Sequence, residues 1–169
     1  MQKRRNIPTG THGRRAQPPP FSFLCCHVQP ALHPLNHLHR HGELEVGYCH
    51  TGTGVLLVEG RMFAYRPGSV ALIAAEDFHF HHSAPGTTSD WTFLFVDPLR
   101  LLGPHDGDAA SISAHDLRGP AFPHLLERAA HPQVSAIAAL IADACRRHGA
   151  RRDAEFAQEV RGLVLALLA

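Results

Sequence analysis

From residue 21 onward the chain falls into short stretches in which apolar and polar positions alternate, each closed by a turn residue. FSFLCCHVQ (Phe21–Gln29) is the first, stopped by Pro30, and a proline-interrupted, histidine-rich loop runs from Ala31 to about Leu38. ELEVGYCH (Glu43–His50) precedes Thr51-Gly52-Thr53-Gly54, VLLVE (Val55–Glu59) precedes Gly60-Arg61, and MFAYR (Met62–Arg66) precedes Pro67-Gly68. SVALIA (Ser69–Ala74), FHFHH (Phe78–His82) and DWTFLFV (Asp90–Val96) complete the series. Short period-two runs with tight turns between them predict an antiparallel β-barrel or sandwich, with no βαβ alternation and no internal repeat. Residues 99–131, broken by Gly103-Pro104 and Gly119-Pro120, predict a mixed loop with one closing strand.

The period then changes. Val134, Ile137, Ala138, Ile141, Ala144 and Cys145 share one helical face, opened by Pro132 and ended by Arg146, Arg147, His148 and the C-cap Gly149. A second helix starts at Asp153, with Phe156, Val160, Leu163, Val164 and Leu167 as its stripe. The domain reading is an arm over 1–20, a β-barrel over 21–131 and a helical pair over 132–169. Leu44, Val46 and Tyr48 have opposite parity to Glu45, so they should face outward, with the helices as their cover.

Length and composition narrow the class. The 169 residues are enough for one domain with a real core, and 44% hydrophobic with 18% charged residues is a globular balance. The formal net charge of +1 gives no global field for nucleic acid or an anionic membrane. Lys3, Arg4, Arg5, Arg14 and Arg15 make the first fifteen residues locally basic, which reads as a solvated arm stiffened by Pro18, Pro19 and Pro20. No apolar run approaches a bilayer span and no signal-type apolar region follows the basic start, so the expected location is cytoplasmic. Cys25, Cys26, Cys49 and Cys145 lack metal-finger or redox spacing and read as free thiols.

Histidine is the outlier, with 15 copies. His39, His41, Glu45 and Gly52 form the pattern H-x-H-x3-E-x6-G. On an extended chain His39, His41 and Glu45 share a face, and two imidazoles with a carboxylate supply three sides of a metal site. His79, on another strand, is placed to complete the set, with His81 on the same face of that strand as a competitor. Zn, Mn, Fe(II) and Ni are all compatible with such ligands. The alternative is a cluster whose members bond each other or a small effector. Trp91, Phe93 and Phe95 alternate on one strand face, as core filling or as an aromatic wall for that effector. His105, His115, His124 and His131 read as single surface histidines, and His27, His33, His37 and His50 as neighbours of the cluster in sequence only.

The sequence resembles the cupin superfamily, and within it the sensor domain of AraC-type transcription regulators. The first cupin motif matches at His39, His41, Glu45 and Gly52. The second is looser and lies in EGRMFAYRPGSVALIAAEDFHF (Glu59–Phe80), with Gly60, Pro67-Gly68 and His79 in place. Ala74 and Glu76 replace the family's Pro and Gly in the turn before His79, and Ser83 stands where metal-dependent cupins often have Asn. The resemblance covers about residues 21–169. It implies a cupin (jelly-roll-like) antiparallel β-barrel followed by two helices, a small-molecule effector held by the cluster, Trp91, Phe93 and His81, and a homodimer formed by the helices. DNA would be reached only through a helix-turn-helix part that this sequence lacks, and the chain would not be an enzyme. The rival reading is a small metal-dependent cupin enzyme of dioxygenase or isomerase type.

Overall fold

The structure is a computed structural model that describes residues 21–28, 30, 37–97, 122–148 and 153–169. The arm over 1–20, most of the 99–131 stretch, Gly149, His33, His105 and His115 lie outside the described residues. The described strands are β1 (Phe21–Val28), β2 (Leu44–Thr51), β3 (Gly54–Val58), β4 (Arg61–Tyr65), β5 (Val70–Ile73), β6 (His79–Ser83), β7 (Ser89–Val96) and β8 (Leu125–Leu126). Helices α1 (Pro132–His148) and α2 (Ala154–Leu168) follow. Each strand expected from alternation forms within a few residues of its predicted bounds, and β8 is the closing strand.

The strands form two sheets, a five-stranded one ordered β1-β7-β2-β5-β8 and a three-stranded one ordered β4-β3-β6. All pairings are antiparallel. The expected β-rich, jelly-roll-like architecture with two C-terminal helices is present. The described strands do not close into one continuous barrel, because no ladder joins the two sheets; they face each other instead.

Parity sorts the side chains of the large sheet. Leu44, Val46, Val70, Leu72, Leu94 and Val96 form one core with Ile141, Cys145, Phe156, Val160 and Val164 of the helices. Tyr48 packs against it, as its parity predicted. Cys49, Ala71, Ile73, Trp91 and Phe93 face the small sheet and meet Leu56, Val58 and Tyr65 there. The large sheet is therefore the middle of three layers, with apolar side chains on both faces.

Local chemistry fixes the ends. Asp153 caps α2 by accepting from the Phe156 N–H at 2.9 Å, and Arg146, Arg147 and His148 close α1 against its dipole. Gly52 turns the chain after β2 with φ +84°, and a Cβ there would collide with the Ser89 and Thr88 backbone. At the same end Tyr65, Ser83 and Ser89 join their hydroxyls, at 3.2 Å and 3.0 Å from Tyr65 Oη, and Ser83 donates to Val28 O at 2.7 Å. That network closes one end of the space between the sheets; the histidines gather at the other.

Candidate functional site

His39 precedes β2 and forms an isolated antiparallel bridge with His79, the first residue of β6. Its N–H donates to His79 O at 3.1 Å, and its carbonyl accepts from the His79 N–H at 2.9 Å. This bridge sets the two rings side by side, with centroids 4.3 Å apart. His41 lies 5.1 Å from the His79 ring. Glu76 occupies the turn position where the family has Gly, at φ +70°, and its N–H donates to His41 O at 2.8 Å. The altered turn still delivers His79 to the cluster.

One nitrogen from each of His39, His41 and His79 falls within 4.8 Å of the others. The second ring nitrogen is spoken for in each case. His39 Nδ1 lies 2.9 Å from His37 O, His41 Nδ1 3.1 Å from Glu43 O, and His79 Nδ1 2.9 Å from Asp77 O. A carbonyl only accepts, so every Nδ1 carries a proton, and Nε2 is the nitrogen left to ligate; His41 Nε2, facing the Glu45 carboxylate, donates to it until a cation displaces that proton. This is the backing that metal-ligating histidines ordinarily receive.

Glu45 is buried at the centre, with Oε2 3.1 Å from His41 Nε2 and 3.3 Å from His79 Nε2. Burial alone would push its carboxyl up, but the contacts with His41 and His79 outweigh that and hold it below the usual carboxylate range. The bond to Glu45 correspondingly raises His41. His81, one alternation further along β6, is pushed down to about 4 by burial. Its ring lies 4.8 Å from Trp91 and 4.8 Å from Phe93. Trp91 and Phe93 stack at 5.3 Å with planes 6° apart, and Phe95 meets the His41 ring edge-on at 5.1 Å. The sequence-derived residues His39, His41, Glu45, His79, His81, Trp91 and Phe93 thus occupy one connected region between the sheets.

Glu45 Oε1, His81 Nε2 and Trp91 Nε1 are buried with no hydrogen-bond partner among the described residues, and His79 Nε2 has only its 3.3 Å ion-pair contact with Glu45 Oε2. All four belong to this region. A bare buried polar atom costs about 1–3 kcal/mol, so a water, cation or ligand that pairs with these atoms would be stabilised there. The residues suit a divalent cation: neutral imidazole lone pairs with one buried carboxylate are a donor set for Zn, Mn, Fe(II) or Ni.

Sequence reasoning missed three supporting positions. His37, Glu43 and Asp77 act through backbone carbonyls, which leave no mark on residue identity. His124 is a correction. It is 5% exposed, with Nδ1 3.3 Å from Leu72 O and its ring between Phe63 and Phe122, because the β5–β8 pairing carries it inward. His50 points away from the cluster as expected, to Thr92 Oγ1 at 3.0 Å. The four cysteines are free. Burial raises Cys26 to about 11 and Cys49 and Cys145 to about 12, which removes those three as nucleophiles. A groove of about 550 Å³ lined by Val55, Ala64, Arg66 and His82 lies on the outer face of the small sheet and shares no residue with the cluster.

A family model described as "AraC-like ligand binding domain" matches residues 24–167. No curated protein matches the chain. Among solved structures, a cupin protein from Bacteroides fragilis is similar at 17% identity and TM-score 0.45, over 67% of this chain and 100% of that one. A protein from Thermotoga maritima described as a predicted oxalate decarboxylase is similar at 22% identity and TM-score 0.38, over 44% of this chain and 64% of that one. A salicylate 1,2-dioxygenase from Pseudaminobacter salicylatoxidans is similar at 21% identity and TM-score 0.41, over 47% of this chain and 22% of that one.

Proposed function

The chain belongs to the family of AraC-like ligand-binding domains, and from that premise we propose that it is the small-molecule-sensing and dimerisation domain of an AraC-type transcription regulator. The ligand enters between the sheets, meets His39, His41, Glu45 and His79, and rests against Trp91, Phe93 and His81. The observation that carries this reading is the double use of the large sheet. The strands that line the site with Glu45, Trp91 and Phe93 hold both helices on their reverse with Leu44, Val46 and Leu94. Whatever shifts the inner face loads the helix contact directly, which is the physical requirement for coupling a ligand to a partner surface. The helices form a homodimer, and DNA is a partner only through a helix-turn-helix part outside this sequence. Among the described residues no helix is long and apolar enough to cross a membrane, in keeping with a cytoplasmic regulator.

A divalent metal would be held by the Nε2 atoms of His39, His41 and His79 with Glu45, and would supply Lewis-acid character at the ligand's oxygen atoms. The protein's own residues do the rest. His37, Glu43 and Asp77 carbonyls fix the ring tautomers, Glu45 balances charge, and the aromatic wall excludes water. The same unpartnered Glu45 Oε1 and convergent lone pairs favour a second reading, a small metal-dependent cupin enzyme.

The test is to purify the chain without chelator or added histidine tag. Bound metal is measured by mass spectrometry beside a His39→Ala/His41→Ala variant, with oligomeric state by light scattering. A dimer whose thermal stability rises with small metabolites, without turning them over, supports the sensor. A monomer that consumes a metabolite only when metal-loaded supports the enzyme.

A further inference from the structure

Of the four buried atoms in need of a partner, Glu45 Oε1 and His79 Nε2 belong to the histidine cluster. The other two, His81 Nε2 and Trp91 Nε1, lie deeper, on rings 4.8 Å apart. His81 is 6.5 Å from His79 between ring centroids, a step past the cluster. His81 keeps partial exposure as a residue while its Nε2 is sealed from water. Trp91 is fully buried, and its indole N–H can only donate. Around the two atoms stand Phe93, stacked on Trp91, and Tyr65, edge-on to Trp91 at 4.9 Å. The Tyr65 hydroxyl is already engaged by Ser83 and Ser89.

Charge narrows what can arrive there. The buried polar residues among those described are Glu45, Ser69, His79, Ser83, Ser89, Thr92, His124 and Ser135, with no Lys or Arg. A carboxylate or phosphate beside His81 would find no buried Lys or Arg and, in the metal-free protein, would feel the Glu45 carboxylate. A purely apolar group would leave both nitrogen atoms bare. From this juxtaposition we infer that His81 and Trp91 form a recognition subsite for an uncharged hydrogen-bonding group, a hydroxyl or carbonyl on a planar or ring-shaped small ligand. This deepens the ligand-sensing reading and rests on it: the ligand's other end meets the histidine cluster, while its neutral polar atom accepts from Trp91 Nε1–H and pairs with His81 Nε2.

Trp91 is the single tryptophan of the chain, so no other indole contributes to its emission. Phenol, toluene and benzoate share a ring and differ in the group that matters, and each is titrated into the chelator-treated protein while Trp91 emission is followed. Phenol should shift the emission and bind at least about tenfold more tightly than either analogue, because a site built to bond a hydroxyl rejects its absence. His81→Phe should remove that preference, His81→Gln should keep part of it, and both should retain metal uptake at the cluster. Equal binding of phenol and toluene overturns the subsite, since the space is then merely apolar; equal or tighter binding of benzoate overturns its neutrality. If small metabolites raise the melting temperature while no neutral polar probe or metabolite moves Trp91 emission, the subsite falls and the sensing reading stands. If nothing in either panel binds, both fall.

Discussion

Gly47 sits in the middle of β2, opposite Phe93 on β7 and Ala71 on β5. A Cβ added there would lie 3.0 Å from Phe93 Cδ1, 3.0 Å from Phe93 Cε1 and 3.2 Å from the Ala71 Cβ. Two effects oppose each other in Gly47→Ala. Restricting the unfolded chain favours alanine by about 0.4–1 kcal/mol. Forcing a methyl into a packed core costs about 1–3 kcal/mol unless the neighbour yields. Phe93 has little freedom to yield, being stacked on Trp91 and packed against the tilted His81 ring at 4.8 Å. The overpacking term therefore wins, and Gly47→Ala should lose about 1.3 kcal/mol, the difference between the middles of those ranges. At this chain length each kcal/mol moves the melting temperature by about 2–4 °C. Urea unfolding followed by Trp91 emission measures the loss, and the native spectrum should shift because Phe93 is pressed along the Trp91 face. Phe93→Leu in the same background should recover part of the stability, a coupling that a double-mutant cycle isolates. A Gly47→Ala protein as stable as the parent, with an unchanged spectrum, would refute the reasoning that Phe93 is pinned.

Two further predictions rest on other features. Glu76→Gly relieves a left-handed backbone at φ +70° and should stabilise by up to about 1 kcal/mol in thermal or urea unfolding, with metal uptake at the histidines unchanged. His50 is lowered by burial and by Arg146, so the unfolded chain takes up its proton first. That contribution to stability is whole above the ordinary value of 6.5 and is lost as pH falls through the lower folded value. His50→Gln should flatten the decline in unfolding free energy below pH 6.5, and an unchanged slope would remove His50 as its source.

Much of this was legible because a strand has a strict period. The parity of Glu45 against Leu44 and Val46 assigned one set to the interior and the other to the helices before any contact was known, and both assignments hold. His81, Trp91 and Phe93 followed the same rule. What could not be read were relations between strands distant in sequence. Whether the sheets close on each other depends on ladders the local pattern does not encode. His124 looked like a loop histidine because its burial is made by a two-residue strand pairing far away, with β5. The carbonyls of His37, Glu43 and Asp77 were invisible for a different reason: any residue would offer the same oxygen. His37 is the sharpest case, a histidine that serves the cluster through its backbone.

Strand β7 answers to two masters in alternate letters. Trp91, Phe93 and Phe95 look into the ligand space, while Thr92, Leu94 and Val96 have the opposite parity, Leu94 and Val96 packing under the helices. Neighbouring codons therefore carry separable traits. Substitutions at the odd positions can redraw which molecule is admitted while the even positions keep the helix platform, and the reverse holds for the helix contact. A scaffold so divided can change its chemical vocabulary without renegotiating its helix packing, because the two specifications share a backbone and almost no side chains.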